Sequence, residues 1–235
     1  LYTGGYTSSG LQLASYLGAN RSRYNSDENS VNYTAPITSG LTAIYRQNPS
    51  LNVTAQNLNA VFGTSITLNS NIVSGFVNND TLASSVSSIG RADFYNNFSS
   101  SGKQIVGSYS IIPSLATNEV GYGFNYVNGL LQISPKTIAL NGGITASNKV
   151  YDGGTNAILN TATPVISGLE TGDLVNLSAT GTFLNKNVGT AKIVSLSGIA
   201  LSGTDSVNYS IINNQLNTTA NITQKALTIS GVTAA

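Results

Sequence analysis

Four short patterns occur twice in this chain, in the same order and at nearly the same spacing. Val61-Phe62-Gly63-Thr64, Ile72-Val73-Ser74-Gly75, Val106-Gly107-Ser108 and Ile133-Ser134-Pro135-Lys136 return as Val150-Tyr151-Asp152-Gly153, Val165-Ile166-Ser167-Gly168, Val188-Gly189-Thr190 and Ile222-Thr223-Gln224-Lys225. The first pair and the last are each 89 residues apart. A period of that length means tandem modules rather than one catalytic domain. Ser30-Val31-Asn32-Tyr33-Thr34 also matches Ser206-Val207-Asn208-Tyr209-Ser210, 176 residues on, about two periods. Lys225-Ala226-Leu227-Thr228-Ile229-Ser230-Gly231 restarts the pattern of Lys136-Thr137-Ile138-Ala139-Leu140-Asn141-Gly142. The expected organisation is therefore the back part of a preceding module at 1–50, full modules at 51–135 and 136–224, and the opening of a following one at 225–235.

Only 8% of the residues are charged and the net charge is +1, against roughly a quarter charged in ordinary globular chains. Hydrophobic residues make up 40% and come in short alternating runs that can pack, which argues for folded structure. Without Cys there is no disulfide framework, no thiolate and no ordinary zinc site; without His the commonest general base is missing. A chain free of disulfides suits unfolded passage through an outer-membrane pore. No run of 18 apolar residues suggests a membrane span, and the near-neutral charge offers no footprint for nucleic acid.

Strand signals recur about every ten residues, as in Leu51-Asn52-Val53-Thr54-Ala55, Gln104 to Ile111 and Ala191 to Leu196. Asn128-Gly129, Asn141-Gly142 and Asp152-Gly153 read as tight turns. Leu11 to Leu17 fits a short helix or a strand, and Ser84 to Ser101 reads as a solvated surface excursion. The expected fold is all-β, with tandem antiparallel modules of sandwich type and a β-grasp-like arrangement as the alternative. Short joints between modules predict a semi-rigid rod.

Lys149-Val150-Tyr151-Asp152-Gly153-Gly154-Thr155, with Ile166-Ser167-Gly168, Asn187-Val188-Gly189-Thr190, Asn208-Tyr209 and Ile222-Thr223-Gln224-Lys225, makes the second module resemble the YDG domain of filamentous-haemagglutinin-like bacterial proteins. The first is similar to the MBG domain of the YGX type through Val61-Phe62-Gly63-Thr64, Val73 to Leu82, Val106-Gly107-Ser108-Tyr109 and Asn125 to Leu130, with Phe62 in place of the usual Tyr. The resemblance implies a place in tandem in a large secreted adhesin, often one exported by two-partner secretion.

The signature residues read as fold determinants. Tyr151 would put a ring into the core while Asp152-Gly153 turns the chain, and Phe62 and Gly63 stand at the matching motif of the first module. Gly107 and Gly189 mark bulges or close backbone approaches. Tyr126 and Tyr209 read as cross-strand packing partners. Asn78-Asn79-Asp80 aligns with Glu170-Thr171-Gly172-Asp173, a repeated turn whose Asp accepts backbone hydrogen bonds. A weak calcium site using Asp80 or Asp173 is the functional alternative, although hard cations need six or more oxygens. No catalytic residue, cofactor or metal site is expected, and no enzymatic activity. Asn-X-Ser/Thr sequons make Asn52, Asn79, Asn97 and Asn176 candidate glycosylation sites. Tyr2, Tyr6, Tyr16, Tyr24 and Tyr33 crowd the N-terminal part and offer a sugar- or protein-binding alternative.

The residues together point to a stalk segment outside the cell or on its surface, partnered by neighbouring modules. Two other roles stay open: binding host glycans or proteins, and self-association into an extracellular filament or biofilm fibre through open sheet edges.

Overall fold

The computed structural model describes residues 2–3, 21–37, 39–95, 97–213, 215–228 and 230–231. Leu11 to Leu17, Tyr6 and Tyr16 lie outside the described residues. The fold is all-β. Helix is confined, among the described residues, to one turn at Leu82–Ser85 and a 3-10 turn at Ser206–Asn208. No helix among them is long and apolar enough to cross a membrane.

The chain divides into two compact units, and their borders are not those of the sequence repeat. The first holds Leu1–Ala60, Ser65–Asn96 and Gly107–Gln132; the second holds Val61–Thr64, Asn97–Val106 and Ile133–Ala235. Tyr24, Ala43 and Tyr45 fill the same core as Leu51, Val120 and Tyr122. Asn97–Val106, which overlaps the Ser84 to Ser101 excursion only in its first five residues, belongs to the second unit.

Each module is built from the same two sheets. In the first, Ser50–Thr54 lies between Gly123–Val127, parallel to it, and Ile72–Ser74, antiparallel. In the second, Lys136–Gly142 lies between Tyr209–Asn213, parallel, and Val165–Ser167, antiparallel. The companion sheets run Leu58–Val61, Gly129–Ser134, Gly107–Ser114, Arg91–Asp93 in one module, and Lys149–Val150, Asn217–Thr223, Gly189–Ser202, Asn176–Phe183, Asn156–Ala157 in the other. A small parallel sheet, with Ala43–Tyr45 between Tyr2–Thr3 and Ser22–Arg23, completes the first unit.

The sheets are mixed, not purely antiparallel as the turn dipeptides suggested. Asn128-Gly129 does not close a hairpin: the strands on either side of it, Gly123–Val127 and Gly129–Ser134, belong to different sheets. Asn141-Gly142 ends a strand at a register shift. Chain returns of about 70 residues bring first and last strands side by side in parallel. Side-chain alternation within each strand nevertheless follows the two-residue period, with Gly129, Leu131 and Ile133 buried and their neighbours exposed. In the second unit Leu140, Ile144, Leu177 and Leu196 form one core cluster, and Phe183, Val194, Ala220 and Ile222 another.

Candidate functional site

The most organised polar site in each unit is a buried aspartate gripped by tyrosine. Val73-Ser74-Gly75 and Ile166-Ser167-Gly168 end their strands, and each chain then turns through five residues to an Asp. The turns close identically: Asp80 N–H donates to Val77 carbonyl (3.0 Å) and Asp173 N–H to Glu170 carbonyl (3.3 Å). The carboxylates then point inward. Tyr122 hydroxyl donates to Asp80 Oδ2 (3.0 Å) and accepts from Val77 N–H (3.1 Å). Tyr209 hydroxyl donates to Asp173 Oδ2 (2.5 Å) and accepts from Glu170 N–H (3.1 Å). One hydroxyl therefore ties each carboxylate to the backbone three residues before it.

A residue from earlier in the chain completes each clasp. In the first unit Tyr24 hydroxyl donates to Asp80 Oδ2 at 2.7 Å, and its ring lies 4.6 Å from that of Tyr122. In the second, Phe62 meets the ring of Tyr209 edge-on at 5.2 Å. Ser101 N–H donates to Asp173 Oδ1 (2.7 Å), Ser100 N–H to Asp205 Oδ1 (3.1 Å) and Val106 N–H to Asn208 Oδ1 (3.0 Å). Burial, reinforced by the neighbouring carboxylate, pushes the Tyr24, Tyr122 and Tyr209 phenols well above their ordinary range. Burial also pushes Asp173 up, but the hydrogen bonds from Tyr209 and Ser101 outweigh it and hold the carboxyl below the usual range. Asp205 is lowered chiefly by the Leu174 N–H.

The Tyr151-Asp152-Gly153 loop is a second, exposed arrangement. Asp152 Oδ1 accepts from Gly154 N–H at 2.9 Å, and Gly153 sits at φ +83°, a region where a Cβ costs energy. Lys149 Nζ reaches Asp152 (2.8 Å) and the carbonyls of Gly154 (2.9 Å) and Asn156 (3.1 Å), and lies 5.5 Å over the Phe183 ring. Lys149 and the Gly154 N–H hold Asp152 below the usual carboxylate range. Tyr151 packs, half-buried, against Phe183, Val194, Ala220 and Ile222.

Gly63 takes φ +87°, and a Cβ there would stand 2.6 Å from Glu170 Oε1, the oxygen paired with Lys136 Nζ. Gly189 opens a long strand at a register shift, where Ala191 takes φ +49°. Gly107 opens the strand in the corresponding place. Asn52, Asn79, Asn97 and Asn176 are all exposed, whereas the sequon residue Asn208 is buried. Of the N-terminal tyrosines, Tyr24 is buried and Tyr33 lies half-buried beneath the Arg23 guanidinium. Neither of these two stands exposed.

Two residues that matter escaped the sequence reading. Tyr122, not Tyr126, is the counterpart of Tyr209: Tyr126 is 40% exposed, its hydroxyl accepting from Ala116 N–H. The shared grip identifies it: each hydroxyl donates to the Asp Oδ2 and accepts the N–H three residues before that Asp. Lys149 had no signal beyond its position at the head of the motif. Chemically, both carboxylates serve as acceptors for structural donors, and among the described residues no group of three or more His, Cys, Asp or Glu could hold a metal ion.

Fold and clasp together define a class: a mixed-sheet β module that recurs along one chain, with a buried aspartate-tyrosine pair completed by a preceding segment. Residues 51–132 match the family model of the MBG domain (YGX type) and residues 134–220 that of the YDG domain. The two matches lie in tandem along the chain. No curated protein and no solved structure matches it.

Proposed function

We propose that this chain is a non-enzymatic repeat segment of a large secreted or surface-exposed bacterial adhesin, holding other parts of that protein away from the cell. The observation that carries this reading is the tandem MBG–YDG pair of matches whose buried carboxylates are spent on the fold: Asp80 and Asp173 take structural hydrogen bonds. Neighbouring modules are its partners, the compartment is extracellular, and export by two-partner secretion fits a chain without Cys. The experiment is immunolabelling of intact cells raising an antibody to this segment, paired with purified segment on a glycan array and epithelial cells. Surface labelling with no saturable binding is the expected result. Labelling only after lysis would sink the reading.

One observation favours a second role, the binding of host glycans. Asp93, Phe94, Tyr95, Ile112 and Ser114 line an open hollow of about 410 Å³, where Tyr95 is 79% exposed. An exposed ring beside a carboxylate suits stacking on a sugar. Saturable array binding that Tyr95→Ala abolishes would move the function to this hollow.

A further inference from the structure

Tyr151 holds, in the YDG domain, the place that Phe62 holds in the MBG domain. Phe62 N–H donates to Ser134 carbonyl and Tyr151 N–H to Thr223 carbonyl, both at 2.9 Å. Ser134 and Thr223 end corresponding strands, each one residue before the Pro135-Lys136 or Gln224-Lys225 joint. The surroundings of the two rings differ. Phe62 is 1% exposed with the Tyr209 ring against it, whereas Tyr151 is only half-buried, on Phe183, Val194, Ala220 and Ile222.

The end of the sheet around Tyr151 exposes apolar side chains next to the Lys149–Asp152 ion pair. Val150 is 56% exposed and Val188 47%, and both adjoin residues registered on Ile222, namely Lys149 and Gly189. Leu184, 73% exposed, follows the strand whose last residue, Phe183, donates its N–H to Thr155.

We propose that this surface, centred on Tyr151, is the docking seat for a further module of the same kind, whose clasp tyrosine lays its ring on Tyr151. Both clasp tyrosines of this chain are covered in that way, Tyr122 by Tyr24 and Tyr209 by Phe62. The geometry also delivers the ring. Lys136 pairs in parallel register with Tyr209, two residues beyond the Ser134 that holds Phe62. Lys225-Ala226-Leu227 repeats Lys136-Thr137-Ile138 two residues beyond Thr223, so a strand paired with it would start its tyrosine beside Tyr151. An aromatic pair completes such a seat with both area and preferred geometry.

The occupant rests on reading the chain as a repeat segment; the docking itself is tested without reference to secretion or adhesion, so cell-interior labelling would sink that reading and leave the seat standing. The chain through Gln224 is joined to a second copy of residues 136–224, preserving the joint, and hydrogen exchange is compared with that of the unextended chain. Amides at 151–155 and 184–188 should exchange ~10-fold more slowly or beyond in the extended chain. Tyr151→Ala should abolish that protection, and Tyr151→Phe, which keeps the ring, should retain it. Unchanged exchange in the extended chain, with the added copy folded or unfolded, overturns the proposal. So does protection that survives Tyr151→Ala.

Discussion

Tyr209 shows at the scale of one residue why the clasp stabilises. Its hydroxyl serves a carboxylate and a backbone N–H at once, so Tyr209→Phe takes this partner from the buried Asp173 Oδ2 and from the part-buried Glu170 N–H together. Denaturant unfolding should show a loss of about 1.5–3 kcal/mol in the second unit; Tyr126→Phe, an exposed position, should cost less. The titrations give a window. Asp173 and Asp205 sit below their unfolded values, so their stabilisation is whole above about pH 4 and lost as the pH falls through the folded values. The three clasp phenols sit above theirs, so their contribution is whole below about pH 10 and lost as the pH rises. Melting temperature against pH should therefore form a plateau with limbs on both sides, and an absent alkaline limb would contradict the clasp. Two glycines at positive φ separate space from conformation. Gly153→Ala meets nothing within 4 Å and should cost only about 1–2 kcal/mol, whereas Gly63→Ala also drives into Glu170 and should cost more by thermal unfolding.

At the scale of elements, the segments Val61–Thr64 and Asn97–Val106 fold with the second unit although the repeat assigns them to the first module. A fragment of residues 134–235 loses Phe62 from Tyr209, Ser101 from Asp173 and Ser100 from Asp205. It should melt well below the second unit of the full chain, and Phe62→Ala in the full chain should remove about 3–5 kcal/mol; equal melting temperatures would show that the borrowed segments are dispensable. Individual strands were legible because alternation such as Leu131 and Ile133 against their exposed neighbours is local. The parallel pairing of Ser50–Thr54 with Gly123–Val127 was not, since local turn dipeptides such as Asn128-Gly129 report only the bend, never which strand lies alongside.

Across the whole molecule, stability rests on apolar burial and hydrogen bonds rather than on exposed ion pairs. The Arg46–Glu28 pair, at 2.8 Å, is exposed on both sides, and such pairs contribute little and are screened by salt. Unfolding free energy should change by less than about 0.5 kcal/mol between low salt and 0.5 M NaCl, as followed by circular dichroism. Sequence alone determined the all-β class, the tandem period and the positions of Asp80, Asp173, Phe62 and Tyr151, because each is a matter of composition, alternation or spacing along the chain. Which tyrosine grips which aspartate, and which segments complete each unit, were decided only by tertiary structure. Those contacts join residues 36 to 147 positions apart, and the parallel register that brings them together is set by packing of the whole unit, which no local pattern encodes.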